Sequence, residues 1–170
     1  MGFLNFFFIS ISLIFSLIID PFDIGYNGID LDTKLIHLNI NSVIICALAG
    51  LFLGYFYTAP PLRLVARKGL GELTIFLTFG PLITIGTAFA IFNGDLNSTE
   101  HLINCLYIGI PMGLLTTNIL LINEFPDMES DQKTHKNHLV VTLGKKAGRW
   151  GYLVLLIFAF LSSYLLSSFL

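Results

Sequence analysis

The chain has 170 residues, of which 55% are hydrophobic and only 12% are charged, and its mean hydropathy is +0.80. A soluble domain of this size has too little interior to bury so much apolar surface, so the composition indicates an integral membrane protein. The net charge of -2, without a basic stripe of interleaved aromatic residues, argues against nucleic acid as a partner. The lipid bilayer is the first expected partner.

Several apolar stretches approach or reach the about 20 residues that a bilayer span requires. We place five spans at residues 3–19, 42–58, 73–92, 102–122 and 151–170. They predict an all-α fold, a polytopic transmembrane helical bundle, with residues 1–170 in a single membrane domain. The first stretch could also be a signal peptide, but it lacks a basic start and a small-residue cleavage site before Asp20, so a retained span is favoured.

The charges between the spans predict the orientation of the bundle, because Lys and Arg are kept on the cytoplasmic side. Segment 20–41 carries four Asp and one Lys, and the connection between the third and fourth spans carries acids without Lys or Arg. Both segments are expected outside. The other two connections hold eight of the nine Lys and Arg residues. We therefore expect both basic loops on the cytoplasmic face, most simply of the plasma membrane.

The first basic loop reads Tyr57-Thr58-Ala59-Pro60-Pro61-Leu62-Arg63 and continues to Arg67 and Lys68. Its proline pair ends the second span. Positive residues on this side need no function, yet these cations share a membrane face with the acids that follow the fourth span.

Small residues and prolines within the spans predict close helix approach and gentle kinks, which is their usual meaning in membrane bundles. Those concerned are Gly69, Gly71, Gly80, Gly86, Pro81 and Pro111. Cys46 and Cys105 lie in apolar runs without a C-x-x-C spacing or an adjacent His, which favours packing residues over a metal or redox site.

An N-x-x-x-D-x-x-x-D pattern, formed by Asn123, Asp127 and Asp131, begins where the fourth span ends. On a helix this spacing places the three oxygen-bearing side chains along one slowly drifting face. Carboxylates and amides suit Mg²⁺, which retains open positions for phosphate oxygens. Pro126 predicts a kink or a fresh helix start, and in the second case the place of Asn123 stays open.

These acids form either a solvated loop balanced by nearby lysines or a metal site, and their spacing alone does not decide. Their position favours a site, because ionisable groups at the end of an apolar span are costly unless they serve a function. Lys133 and Lys136 follow closely. Cations beside a metal–carboxylate site suit an anion as highly charged as a diphosphate.

Two segments resemble the UbiA-type intramembrane prenyltransferases. Segment 123–144, NEFPDMESDQKTHKNHLVVTLG, is similar to their second aspartate-rich motif. Segment 54–86, in which GLGE is followed by FGP, most resembles the dihydroxynaphthoate polyprenyltransferase branch of menaquinone biosynthesis. The resemblance covers the chain from about residue 51 to its end. It implies transfer of a polyprenyl group from polyprenyl diphosphate to an aromatic quinone precursor.

The resemblance also implies the roles of individual residues. Asp127 and Asp131 are the implied catalytic residues and bind Mg²⁺, with Asn123 as an assisting metal ligand. The implied substrate-binding residues are Lys133, Lys136, Arg63 and Arg67 for the diphosphate, and Tyr57 and Asn123 in the substrate pocket.

The sequence departs from the family pattern in three places. Family members have about nine spans and a first aspartate-rich motif, which is absent here; Asp20-Pro21-Phe22-Asp23 resembles it only superficially and is predicted outside. Pro61 stands where other branches have a basic residue, so Arg63 is the nearest candidate, and His135 stands where the family often has Gly. We therefore expect the central portion of a prenyltransferase whose active form needs metal ligands outside this chain.

Two other interpretations were weighed. A non-catalytic membrane remnant or subunit of such an enzyme is the main alternative. A transporter segment is less favoured, because such proteins place acids near mid-membrane on broken helices, often within an inverted repeat, and neither pattern is found.

Overall fold

A computed structural model describes residues 33–91 and 99–169, with side chains at 41–90 and 102–167. The predicted span at 3–19 and the Asp20 to Asp23 segment lie outside the described residues. Within the described ranges every regular element is helical and no strand is present. The predicted all-α class is confirmed.

Five α-helices follow one another along the chain: α1 Thr33–Thr58, α2 Leu70–Leu77, α3 Ile83–Ile91, α4 Thr99–Lys133 and α5 Leu139–Phe169. A π-helical turn, Thr78–Leu82, contains Pro81 and joins α2 to α3 into one long stretch. A short 3₁₀ turn, Leu64–Ala66, lies in the loop between α1 and α2.

Four stretches are long and apolar enough to cross a membrane: Asn41–Thr58, Leu70–Ala90, Leu102–Lys133 and Leu139–Ser167. They correspond to the second to fifth predicted spans. Bulky apolar side chains such as Phe52, Ile119 and Phe160 are exposed along them, whereas few, among them Leu121, are fully buried. Lipid as the surrounding solvent explains this exposure. The chain is an integral membrane protein.

Helix α4 is the centre of the packing, in contact with α2, the π-helical turn, α3 and α5, while α1 packs against α3. Glycines allow α4 and the turn to touch backbone to backbone. A Cβ at Gly80 would lie 2.5 Å from the Gly109 carbonyl oxygen, and one at Gly113 would lie 2.6 Å from the Phe76 carbonyl oxygen. The close approach predicted for Gly80 is confirmed, and it resembles the small-residue contacts of membrane helices.

The other small residues have mixed roles. A Cβ at Gly86 would lie 3.3 Å from Cys46 Cβ, and one at Gly71 would lie 3.1 Å from Val65 Cα, so both serve packing as predicted. Gly69 instead has a φ of 73° and precedes the first residue of α2. Cys46 and Cys105 are free, partly buried thiols.

Three boundaries differ from the sequence prediction. Helix α1 begins at Thr33, well before residue 42. Helix α4 continues through Pro111 and Pro126 to Lys133, so a fresh helix start at Pro126 is wrong. Neighbouring helices and side chains can satisfy the backbone groups that a proline frees, which makes such continuity possible in a membrane bundle. Helix α5 begins at Leu139 and is interrupted at Gly144, whose φ is 82°.

Candidate functional site

The C-terminal end of α4 carries Asn123, Asp127 and Asp131 on one side of an unbroken helix. Residues four apart differ by about 40° around an α-helix, so the three form a continuous acidic face. Asn123 and Asp127 are exposed, and the Asp131 side chain is 17% exposed. The sequence left the position of Asn123 open, and the structure places Asn123 on this face.

The spacing of this acidic face limits how it can hold a metal. At about 1.5 Å of rise per residue, Asn123 and Asp131 lie about 12 Å apart along the axis, and neighbouring members lie about 6 Å apart. Since Mg²⁺ binds oxygen at about 2 Å, one ion can contact adjacent members but not all three. Within the described side chains, no group of three or more His, Cys, Asp or Glu could by itself hold a metal ion. The donors fit Mg²⁺ chemically, with oxygens from elsewhere completing its shell.

Asp131 is flanked by cationic and imidazole nitrogens from the turn that follows α4. Lys136 Nζ lies 3.2 Å from Asp131 Oδ1, and His138 Nε2 lies 3.4 Å from Oδ2. The Lys136 backbone N–H also donates to the Asp131 carbonyl at 3.0 Å. The turn thus folds Lys136 back beside the acidic face, while Lys133 is exposed on the last turn of α4.

His135 has a left-handed backbone in this turn, with a φ of 57°. Glycine adopts that conformation without steric cost, whereas a residue with a Cβ does not. His135 is therefore a point of local backbone strain in this turn.

The two basic loops meet in space, as the predicted topology requires. The Asn137 N–H donates to the Ala66 carbonyl at 3.1 Å. Arg63, with a φ of 41°, and Arg67, whose Nη2 donates to the Pro61 carbonyl at 3.4 Å, are both exposed. Among the described contacts, neither arginine touches the acidic face.

Tyr57 lies at the root of the same loop. It is partly buried, and a Cβ at Gly71 would lie 3.7 Å from its ring carbon Cε2. The structure therefore places Tyr57 against the start of α2, without a described contact to Asn123.

Beneath the acidic face lies a buried polar cluster of Glu72, Glu124 and His138, whose residues are 6%, 7% and 2% exposed. The Leu139 N–H donates to Glu72 Oε1 at 2.6 Å, and His138 Nδ1 lies 3.0 Å from Glu124 Oε2. The cluster joins residues from α2, from α4 and from the start of α5. It touches the acidic face through His138 and Asp131.

His138 is an imidazole ring buried in this cluster. Burial lowers its pKa below the ordinary value of 6.5, although the nearby Asp131 and Glu72 act in the opposite direction. Its Nδ1 lies 3.4 Å from the Val141 backbone nitrogen and 3.0 Å from Glu124 Oε2. Nε2 faces Asp131 but makes no aligned hydrogen bond within the described part of the chain. His138 thus links the buried cluster to the acidic face through its contacts with Glu124 and Asp131.

No role was predicted for these three residues from the sequence. Glu72 carried a usable signal, because an acid at the start of an apolar span is costly unless it has a partner. Glu124 was hidden among the other acids of its segment. The position of His138 depends on tertiary contacts that spacing does not reveal.

The fold and the site together are those of a polytopic membrane protein whose acidic face lies beside Lys133 and Lys136 at the end of α4. The sequence profile of the UbiA prenyltransferase family matches residues 35–170, and the chain belongs to that family. The family predicted from the two motifs is confirmed.

Individual relatives agree with this family. The chain is 36% identical over 98 residues to 2-carboxy-1,4-naphthoquinone phytyltransferase of Synechocystis sp., a match that covers 58% of this chain and 30% of that protein. It is 33% identical over 119 residues to UbiA prenyltransferase domain-containing protein 1 of Dictyostelium discoideum, covering 69% of this chain and 34% of the relative. It is 30% identical over 118 residues to 1,4-dihydroxy-2-naphthoate octaprenyltransferase of Bacillus subtilis, covering 69% and 34%.

The chain therefore spans about a third of the length of the curated relatives it matches. Naphthoate prenyltransferases among these relatives support the predicted branch. No solved structure matches the chain at comparable significance.

Proposed function

We propose that this chain forms part of a membrane prenyltransferase that transfers a polyprenyl group from its diphosphate to a dihydroxynaphthoate-like acceptor in quinone biosynthesis. The observation that carries the proposal is the exposed acidic face of α4 with Lys136 beside Asp131. Family membership and the naphthoate-type relatives support the reaction class. The proposed location is the plasma membrane with this site toward the cytoplasm, where the basic loops are expected.

In this proposal Asp127 and Asp131 hold Mg²⁺ and are the catalytic residues, and Asn123 assists as a ligand on the preceding turn. Bound Mg²⁺ would supply positive charge against the diphosphate. Because the ends of the acidic face are about 12 Å apart, Asn123 contacts a different ion or the substrate itself rather than the ion held by Asp131. Tyr57 belongs to the substrate pocket.

The cations hold the leaving group in this scheme. Lys133 and Lys136 donate hydrogen bonds to diphosphate oxygens, and Arg63 and Arg67 approach from the neighbouring loop. They stabilise the negative charge that grows on the diphosphate as the allylic carbon–oxygen bond breaks and the electron pair leaves with oxygen. A carbon of the electron-rich ring then forms the new carbon–carbon bond, and the ring regains aromaticity by releasing a proton or carbon dioxide. The surrounding apolar helices keep water from the allylic cation.

The test is a transfer assay in membranes that contain the protein expressed from its full reading frame. A labelled polyprenyl diphosphate and 1,4-dihydroxy-2-naphthoate are supplied with and without Mg²⁺. Asp127→Ala is expected to lower Mg²⁺-dependent product formation by about 100-fold or more. Glu129→Ala is the matched control, because Glu129 is an exposed acid of the same helix on another face and should retain activity.

Two outcomes would contradict the proposal. Wild-type activity in Asp127→Ala would remove the assigned role of the acidic face. A wild-type protein that is present in the membrane but transfers nothing to the naphthoate would favour the non-catalytic remnant.

A further inference from the structure

We infer that Glu72 and Glu124 are positioning residues that fix the start of α5 and, through it, the connection 134–138 that carries Lys136 to the acidic face. The inference rests on the proposed function, since it concerns how Lys136 is held for a diphosphate. Neither glutamate is proposed to touch the substrate or the metal.

The first observation concerns the backbone N–H groups at the start of α5, which need hydrogen-bond partners outside the helix. Glu72 Oε1 accepts the Leu139 N–H at 2.6 Å, and Glu124 Oε2 lies 3.0 Å from Nδ1 of His138, the residue just before α5. The third N–H, from Val141, goes to His138 Nδ1 at 3.4 Å. The first N–H groups of a helix have no partner within it and are costly to bury unpaired. Here the N–H groups of Leu139 and Val141 are bound by the side chains of Glu72 and His138, so the start of α5 is fixed to α2.

The second observation is that the connection is tied at both ends. Near α4, the Lys136 N–H donates to the Asp131 carbonyl at 3.0 Å, and the Asn137 N–H donates to the Ala66 carbonyl at 3.1 Å. Near α5, the connection ends at the hydrogen bond between Leu139 and Glu72. Lys136 lies between these ties, with its Nζ 3.2 Å from Asp131. Loss of the tie at Leu139 would free one end of the connection and broaden the positions of Lys136.

Glu72 is well placed for this role because it joins three helices. Its carboxylate binds the start of α5, its backbone carbonyl oxygen lies 3.5 Å from the hydroxyl oxygen of the buried Thr117 of α4, and it lies itself in the first turn of α2. Groups that orient a metal or phosphate ligand without touching the ion typically change affinity or activity by about 10-fold to 100-fold when removed. An effect of that kind is expected here.

The experiment compares Glu72→Ala, Glu72→Gln and a control, Thr74→Ala, in the full membrane protein. Thr74 is a good control, because it is also buried in α2 but its hydroxyl bonds only the Leu70 carbonyl of its own helix. Initial rates are measured against polyprenyl diphosphate and against Mg²⁺. Hydrogen–deuterium exchange of peptides covering residues 134–143 is followed without substrate.

Glu72→Ala should raise the KM for diphosphate and the half-saturating Mg²⁺ concentration about 10-fold, with a smaller change in kcat, and should speed exchange in 134–143. Glu72→Gln keeps a carbonyl oxygen that can accept the Leu139 N–H, so it should stay within about 3-fold of wild type. Thr74→Ala should change neither constant. The inference is overturned if Glu72→Ala leaves the KM and the exchange unchanged, if Gln fails to rescue, or if Thr74→Ala gives the same kinetic shift.

Leu139→Pro examines the same hydrogen bond from the donor side should Glu72→Ala fail to accumulate. Proline lacks the N–H but is tolerated at the first position of a helix. The same rise in KM is expected, and an unchanged KM would contradict the inference.

Asp127→Ala, assayed in parallel, separates this inference from the proposed function. If Asp127→Ala keeps wild-type transfer, the proposed site itself fails. If it loses transfer while Glu72→Ala behaves like Thr74→Ala, the acidic face stands and only the positioning role fails. Hydrogen–deuterium exchange needs no turnover, so it tests the hydrogen bond between Leu139 and Glu72 in either case.

Discussion

Lys136 is the residue whose position ties the acidic face to its proposed diphosphate. Its Nζ lies 3.2 Å from Asp131 Oδ1 in the structure, so it can turn to a phosphate oxygen without a large movement. Lys136→Gln should raise the KM for polyprenyl diphosphate about 10-fold, the value expected for loss of one charge-assisted hydrogen bond of about 1.5 kcal/mol. Steady-state kinetics at saturating acceptor measure it. Lys145→Gln, an exposed cation on α5, is the control, and an equal effect there would point to general surface charge instead.

His135 allows a prediction about stability rather than binding. Its left-handed backbone costs a residue with a Cβ about 1–2 kcal/mol, of which glycine would recover part after its own entropy cost. His135→Gly should therefore raise the free energy of unfolding by up to about 1 kcal/mol, whereas His135→Val should lower it. Thermal unfolding in detergent measures both. A Gly variant less stable than the Val variant would contradict the assigned strain.

For single residues, the sequence predicted which side chains belong to the candidate site better than it predicted the contacts that these side chains make. The four-residue spacing of Asn123, Asp127 and Asp131 predicted a shared helix face, and the structure places the three residues on one unbroken helix, while their metal-binding role stays a prediction. The contact between Lys136 and Asp131 could not be read from spacing, because it depends on the turn after α4. Glu72 and His138 lie 66 residues apart in the numbering and meet only through packing.

Helix packing supplies the clearest prediction at the scale of elements. Gly80 lies where α4 touches the π-helical turn, and a Cβ there would lie 2.5 Å from the Gly109 carbonyl oxygen and 2.9 Å from Gly113 Cα. Because both neighbours are backbone atoms, Gly80→Ala should cost about 1–3 kcal/mol of stability. Unfolding of the purified protein in detergent tests this cost.

Gly54 is the matched control for Gly80, since a Cβ there meets nothing within 4 Å. Gly54→Ala should be neutral or stabilise α1 by up to about 1 kcal/mol. Equal losses in both variants would show that the glycines act through helix propensity and not through contact.

The order and type of the elements followed from hydrophobic runs, yet their ends did not. The sequence placed a possible break at Pro126, because proline usually ends a helix in water. In the structure α4 passes through it, and this continuity puts Asn123 on the acidic face. The start of α5 at Leu139 was missed for a related reason: its first N–H group is bound by the Glu72 side chain of α2, which no local rule can foresee.

The whole molecule is expected to lie with its acidic face toward the cytoplasm. In a chain whose Cys46 and Cys105 are replaced by Ala, a membrane-impermeant thiol reagent should label Glu129→Cys only from the cytoplasmic side. It should label Thr33→Cys, at the first residue of α1, only from the other side. The asymmetry of Lys and Arg is the physical reason. The reverse labelling pattern would contradict the predicted orientation and the cytoplasmic site.

Metal binding by the acidic face is the central claim, and direct titration with Mn²⁺, which favours the same oxygen ligands as Mg²⁺, examines it most directly. Electron paramagnetic resonance of free Mn²⁺ would be followed in the full membrane protein with a non-hydrolysable polyprenyl diphosphate analogue. Wild type and Glu129→Gln are expected to bind the ion, and the Asp127→Asn, Asp131→Asn double variant is expected to lose that binding. Identical titration curves for the double variant and the wild type would contradict the account.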